Sequence, residues 1–358
     1  MGTYLGSFGG SSPGPSRQVA PSRRLLDSPA VRIFSGIQPT GSKHLGNFIG
    51  AIRGWVEGQE RGEAIYCLVD LHAITVPYDP AKLRETVLDA AAMLLAAGLD
   101  PERCILFRQG DVPEHTELCW LLSAVTSYGD LQRMTQFKEK SAKQKELVSA
   151  GIFTYPVLQA ADILAYNADE VPVGEDQRQH LELARDVAQR FNSRFGDTFV
   201  VPEARIPTVG ARIMDLQDPT NKMSTTAESD AGVIRVLDDP KTVEKKIKSA
   251  VTDSGSEVAR SPDKPGITNL IDILAVIRGV GPAEIESEFD GSGYGKFKQA
   301  VAEEVVDYLA PVRERYLELR PDEKQLHAIL HAGAEKAHAI AHDTVAIARD
   351  RMGVGPPS

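Results

Sequence analysis

Three cysteines in 358 residues, Cys67, Cys104 and Cys119, cannot build a disulfide framework, and their spacing fits no metal cluster. Each sits in an apolar segment, so they read as reduced core residues of a cytosol-like compartment. No uninterrupted apolar run approaches the roughly 18 residues of a membrane span, so no membrane partner is expected. Basic residues are outnumbered, 40 against 50 acidic, for a net charge of −10. Such a balance argues against a protein that coats DNA or RNA by bulk charge, and leaves any nucleic-acid contact to a local patch. Internal repeats are lacking as well. What remains, 42% hydrophobic and 25% charged residues, is the composition of a globular chain able to bury a sizeable core, in two domains.

Residues 1 to 30 are dense in Gly, Ser and Pro, with no acidic residue before Asp27. They read as a disordered leader, with a transit peptide for organellar import left open. From Val31 to about Met214 short apolar runs alternate with helical periodicity. "AIYCLV" (Ala64 to Val69), "CILFRQ" and "EVPVG" read as strands. "DPAKLRETVLDAAAMLLAAG" reads as a helix with Asp79 as cap, Pro80 at its first position and Gly98 beyond its end. Alternation of this kind predicts a parallel α/β sheet with ligands at the carboxyl ends of the strands.

Two stretches carry the chemistry. In "FSGIQPTGSKHLGN", Phe34 to Asn47, a strand passes through a tight loop into a helix with Phe48, Ile49, Ile52, Trp55 and Val56 on one face. Unpaired N–H groups and the positive end of the helix dipole would then face the loop, as a phosphate requires. Gly36, Gly41 and Gly46 would admit a ligand close to the backbone, and His44 would add a donor. In "TYPVLQAADILAY", Thr154 to Tyr166, Asp162 lies among Val157, Leu158, Ala160, Ala161, Ile163 and Leu164. A buried carboxylate needs a donor. Either Asp162 pairs with a buried arginine, or it shares a pocket face with Tyr155, Gln159 and Tyr166.

Beyond residue 229 the pattern is helical. Asp239 and Pro240 open a helix displaying Lys241, Lys245, Lys246 and Lys248, a solvated face or a contact for nucleic-acid phosphates. A later helix is expected to kink or break at Pro311, and Gly291, Gly293 and Gly295 to form a loop. His327 with His331, and His338 with His342, stand four apart, but no carboxylate accompanies them in sequence. They read as surface or packing histidines, and no metal site is expected.

The order of these blocks adds a resemblance. "PTGSKHLGN", "VGEDQRQH" and "DPTNKMS" occur in the order found in class I aminoacyl-tRNA synthetases, and "FSGIQPTG" is similar to the opening of their tryptophanyl branch. The resemblance covers nearly all of the chain after the leader. It implies a Rossmann-like catalytic domain over 31–215 with a basic insert near 131–150. A KMSKS-like loop and a helical domain binding the tRNA anticodon arm would follow over 216–358. The implied partners are ATP with Mg2+, L-tryptophan, tRNA(Trp) and a second copy of the chain, in the cytoplasm.

By the same resemblance His44, Asn47, Lys140 and Lys222 are catalytic. ATP falls to Gln38, Pro39, Thr40, Gly46, Asn47, Gly174, Glu175, Asp176, Ile213, Lys222, Met223, Ser224, Thr225 and Thr226. Tryptophan falls to Phe34, Gln38, His72, Gln136, Tyr155, Gln159, Asp162 and Gln177, with Asp162 accepting the indole N–H. One departure stands out: Thr225 and Thr226 replace the second lysine and last serine of the KMSKS pattern. That keeps two other readings in play, a regulatory paralogue that binds without efficient activation, and another class I nucleotidyl-transfer enzyme such as a tyrosyl or pantothenate-type ligase.

Overall fold

The computed structural model describes residues 31–39, 43–135, 149–174, 177–205, 213–224 and 229–356. Thr40, Gly41, Gln136, Lys140, Glu175, Asp176, Thr225 and Thr226 lie outside them, as does the leader. Five strands, β1 (Val31–Ile37), β2 (Gly62–Leu68), β3 (Cys104–Arg108), β4 (Glu170–Pro172) and β5 (Glu203–Arg205), form one parallel sheet. Their order is β3-β2-β1-β4-β5. The chain builds outward from β1 in both directions, so the sheet's switch point lies between β1 and β4, where a crevice opens at the carboxyl ends.

Local signals behave as read. Asp79 Oδ1 accepts from the N–H groups of Ala81 and Lys82 at 2.8 and 2.9 Å, ahead of the helix Pro80–Ala96. Asp239 likewise caps Pro240–Lys248. The core strands β2 and β3 are apolar because both faces of the sheet are covered. Cys67 and Cys104 are buried and free, and Cys119 is half-buried.

Two expectations are corrected outright, and a third in part. The helix Gly293–Leu319 continues through Pro311, so the break does not occur. Proline frees the carbonyl of residue 307, and that turn is exposed, so water can satisfy it while Leu309 and Val312 stay buried. Gly293 and Gly295 open that helix instead of forming a loop. Lys246 belongs to no basic face: it is buried, and its ammonium donates to Asp230, Asp238 and the carbonyl of Val233 at 2.8–2.9 Å.

The terminal helix Glu323–Met352 packs on β3, and Gly333 makes this approach possible. A Cβ there would stand 1.9 Å from the Leu106 carbonyl oxygen. Ala334, Ala337, Ala341, Val345 and Ala348 share one buried cluster with Phe34, Phe107 and Tyr166, so helices from the end of the chain brace the sheet directly. Among the described residues no single helix is long and apolar enough to cross a membrane.

Candidate active site

A cleft of about 530 Å³ opens where β1 and β4 end. Phe34, Gln38, Asn47, His72, Tyr155, Gln159, Asp162, Gly174 and Gln177 all line it, so residues spread over more than 140 positions converge there. Pro39, His44, Gly46, Ile213, Lys222, Met223 and Ser224 do not contribute to its wall. Ile213 and Met223 are buried in the same apolar cluster as Leu45, just behind the loop.

The floor is Asp162, 2% exposed, on the helix Ala150–Leu164. Its partners are neither an arginine nor an absent ligand alone. Gln109 Nε2 and His115 Nδ1 both donate to Oδ1 at 2.6 Å, and His72 Nε2 donates to Oδ2 at 2.8 Å. Burial pushes the carboxyl pKa up, but the hydrogen bonds from His115 and His72 outweigh it and hold the group at about 2. Asp162 is therefore ionised at neutral pH. A carboxylate offers about four acceptor positions. Three are filled, which leaves the fourth on Oδ2, the oxygen that His72 also meets, and both residues line the cleft.

His115 extends the chain of bonds. Its Nε2 lies 2.7 Å from the Tyr166 hydroxyl, whose pKa burial, then the nearby Cys67, Asp162 and Glu114, push well upward. The phenol keeps its proton and donates, which fixes the imidazole with its own proton on Nδ1, aimed at Asp162. Tyr166 thus stands behind the pocket and does not line it. Gln109 and His115 were missed in the sequence. Their signal was position: one directly follows β3 and the other lies in the first turn of the helix Glu114–Ser123, where polar residues of a parallel sheet meet ligands.

The wall opposite is the signature loop. His44 caps the helix that starts at Leu45: its Nδ1 accepts the Asn47 N–H at 3.2 Å, while Asn47 Oδ1 accepts the His44 N–H at 3.3 Å. Because Nδ1 accepts, the imidazole proton sits on Nε2. Gly46 is needed for the imidazole, not for a ligand, since a Cβ there would come within 3.1 Å of the ring. Leu45 N–H is spent on the Ile234 carbonyl at 2.8 Å, and Lys43 carbonyl accepts from Val236 N–H at 2.9 Å. With the N–H groups of Leu45 and Asn47 both satisfied internally, the helix end is a narrower anion seat than the sequence implied. The following turn, Phe48–Ile52, is π-helical, a local widening often found at functional sites.

Charge compensates for those spent donors. Desolvation, then Lys222, Lys43 and Arg235, lower the His44 pKa from 6.5 to about 4. Three cations thus converge on a neutral imidazole in a chain of net charge −10. Lys43, which lines the cleft and donates to the Gln38 carbonyl at 2.8 Å, was not singled out in the sequence; burial lowers its pKa to about 8. Lys222 reaches this end because Met214 pairs with it antiparallel and Met223 N–H bonds the Ile213 carbonyl at 3.1 Å.

A pH dependence follows. The folded chain prefers His44 neutral, so its contribution to stability is complete above pH 6.5 and is lost as pH falls through 6.5 to about 4. The loss amounts to roughly 3 kcal/mol at 1.36 kcal/mol per unit. Denaturant unfolding of His44→Asn should therefore show a flatter profile than the unmodified chain over that window. An identical slope in both would contradict the assignment.

Comparison with known proteins agrees with this geometry. The family model for class I tRNA synthetases (W and Y) matches residues 27–310. The chain is 55% identical to tryptophan–tRNA ligase 2 of Streptomyces avermitilis, over 92% of this chain and 99% of that one. It is 52% identical to tryptophan–tRNA ligase of Oceanobacillus iheyensis, over 90% and 98%. Its structure superposes on tryptophanyl-tRNA synthetase from Campylobacter jejuni, solved with ADP and tryptophan, with a TM-score of 0.78 and 36% identity, covering 90% of this chain and all of that one. The signature loop, the parallel sheet with its cleft at the switch point, and relatives that match nine-tenths of this chain agree: the chain belongs to the class I tRNA synthetases, in their tryptophanyl family.

Proposed function

We infer that the chain is a tryptophan–tRNA ligase: it joins L-tryptophan to ATP as the adenylate, releasing pyrophosphate, and passes the acyl group to tRNA(Trp). The observation that carries this reading is Asp162, ionised at the base of the cleft and held by His72, His115 and Gln109 with one acceptor position left. An indole N–H can donate to that position, whereas the phenyl ring of phenylalanine offers no donor to it.

Asp162 is the one carboxylate among the described residues that line the cleft, and three of its acceptor positions are already taken. Magnesium therefore enters with the ATP phosphates, with no carboxylate seat of the protein's own on that wall. Phe34, Tyr155, Gln159 and Gln177 enclose the indole and its amino-acid end. Gln38, Asn47 and Gly174 meet the nucleotide, with Glu175, Asp176 and Thr40 as neighbours in sequence.

The carboxylate of tryptophan attacks the α-phosphorus and the bond to pyrophosphate breaks. Negative charge grows on the phosphate oxygens during that step. His44, with its proton on Nε2, and the cations Lys43 and Lys222 stabilise the growing charge from fixed positions, which in most such reactions accounts for more of the rate enhancement than any other effect. Lys140, Ile213, Met223, Ser224 and the Thr225–Thr226 segment complete the ATP side in this proposal.

The helical half from about residue 216 is assigned to the tRNA anticodon arm. A homodimer accords with large hydrophobic side chains left exposed, Trp120 at 79% above all, with Tyr128, Ile74 and Tyr78. Trp120→Glu should shift sedimentation from dimer towards monomer; a wild-type chain that sediments as a monomer rules the dimer out. Cytoplasmic residence accords with the relatives being bacterial.

The test of the function is amino-acid-dependent exchange of pyrophosphate into ATP, followed by charging of tRNA(Trp). Exchange driven by tryptophan supports the ligase. Tryptophan binding without exchange points to the regulatory paralogue, and exchange driven by tyrosine or another acid points to a different class I enzyme.

A further inference from the structure

On the terminal helix, His338 and His342 stand one turn apart, while the helix's own Glu335 lies against His331 at 3.9 Å, so a carboxylate for the pair has to come from elsewhere. The fold supplies one. The helix Glu114–Ser123 packs beside the terminal helix, and Glu114 Oε1 lies 2.8 Å from His338 Nδ1 and 3.7 Å from His342 Nδ1. One donor atom from each residue lies within 4.8 Å of the other two.

A hydrogen bond between Glu114 and His338 explains only part of this arrangement. The Glu114 side chain is 9% exposed, and its Oε2 has no hydrogen-bond partner among the described residues. A carboxylate desolvated to that degree normally satisfies both oxygens. Both imidazoles, by contrast, are exposed, at 53% and 65%, and can turn at little cost. Donors around a tetrahedral zinc-like ion sit roughly 3.4 Å apart when bonds are 2.0–2.2 Å. The existing spread closes to that by rotation of the rings.

We propose that Glu114, His338 and His342 form a binding site for a divalent first-row transition ion of the zinc class, with water completing the tetrahedron. None of the three lines the cleft. The ion ties the terminal helix to the helix that begins next to His115, and so braces the group that holds Asp162. Metal bound this way stabilises the folded chain, because the ligands converge only when it is folded.

Zinc chloride titrated calorimetrically into the full-length chain, free of any histidine tag, tests this directly. The expected result is one ion per chain and a rise in thermal midpoint on saturation. Loss of a direct ligand should weaken affinity by at least about tenfold, since even outer-shell changes cost 10–100-fold. His342→Ala, at an exposed position, and Glu114→Gln should both do so, while His331→Ala leaves affinity unchanged. Failure to bind zinc at a clear molar excess overturns the proposal, as does binding that His342→Ala leaves within about twofold of the original.

Discussion

Asp162→Asn lowers kcat/KM for tryptophan in pyrophosphate exchange by about 10²–10⁴-fold, the scale on which enzymes reject a ligand that cannot satisfy a buried polar site. The reason lies in the three N–H groups aimed at the carboxylate by Gln109, His115 and His72. An asparagine matches the shape but carries one acceptor and one NH2. Whichever way the amide turns, its NH2 confronts an N–H, either from one of those partners or from the indole. Charge is lost at the same time, and with it the charge-assisted character of every bond in the cluster. Asp162→Ala is the poorer variant, since breaking a buried, paired charge costs about 3–5 kcal/mol of stability. With asparagine in place, selectivity for tryptophan over phenylalanine should narrow. A variant with unchanged kcat/KM would remove Asp162 from recognition.

The second large effect falls on the rate. His44→Ala should reduce kcat of exchange by about 10²–10³-fold, the usual result of removing one positioned donor from a developing anion. KM for tryptophan should stay within a few fold, because the imidazole does not line the cleft. That pattern marks an interaction made in the transition state. The helix also loses its cap, worth about 1 kcal/mol. Lys222→Ala should slow exchange in the same way without disturbing the cap. It should also raise the His44 pKa, since Lys222 is among the charges that lower it. Equal losses in kcat for Asp162→Asn and His44→Ala with equal changes in KM would erase the division between recognition and catalysis.

The sequence carried the features that local chemistry determines. Asp79–Pro80 and Asp239–Pro240 start helices because a side-chain acceptor and a fixed φ act within one turn. Buried strands betray themselves by unbroken apolar runs, and so the sheet and the site at its carboxyl edge were both legible. What was hidden is what tertiary contact decides. The reading of Asp162 as an acceptor awaiting a ligand overlooked Gln109 and His115, which reach it from 53 and 47 residues away. In the proposed reading its selectivity rests on one remaining acceptor position and not on an empty carboxylate. Lys246 looked solvated because charge runs usually are, but two aspartates close around it. The strand-like pairing of Lys43 and Leu45 with residues 234–236 left no local mark either, because isolated bridges depend on long-range register.

The central claim is that the open position on Asp162 takes the indole N–H, and an isostere isolates that one atom. β-(3-Benzothienyl)alanine keeps the fused ring and places sulfur where tryptophan has N–H. Exchange kinetics for both acids, measured with the unmodified chain and with Asp162→Asn, form a closed cycle. The predicted result is a kcat/KM at least about 100-fold lower for the sulfur compound with the unmodified chain, and a gap that nearly closes in the variant. Equal kcat/KM for the two acids with Asp162 intact would contradict it.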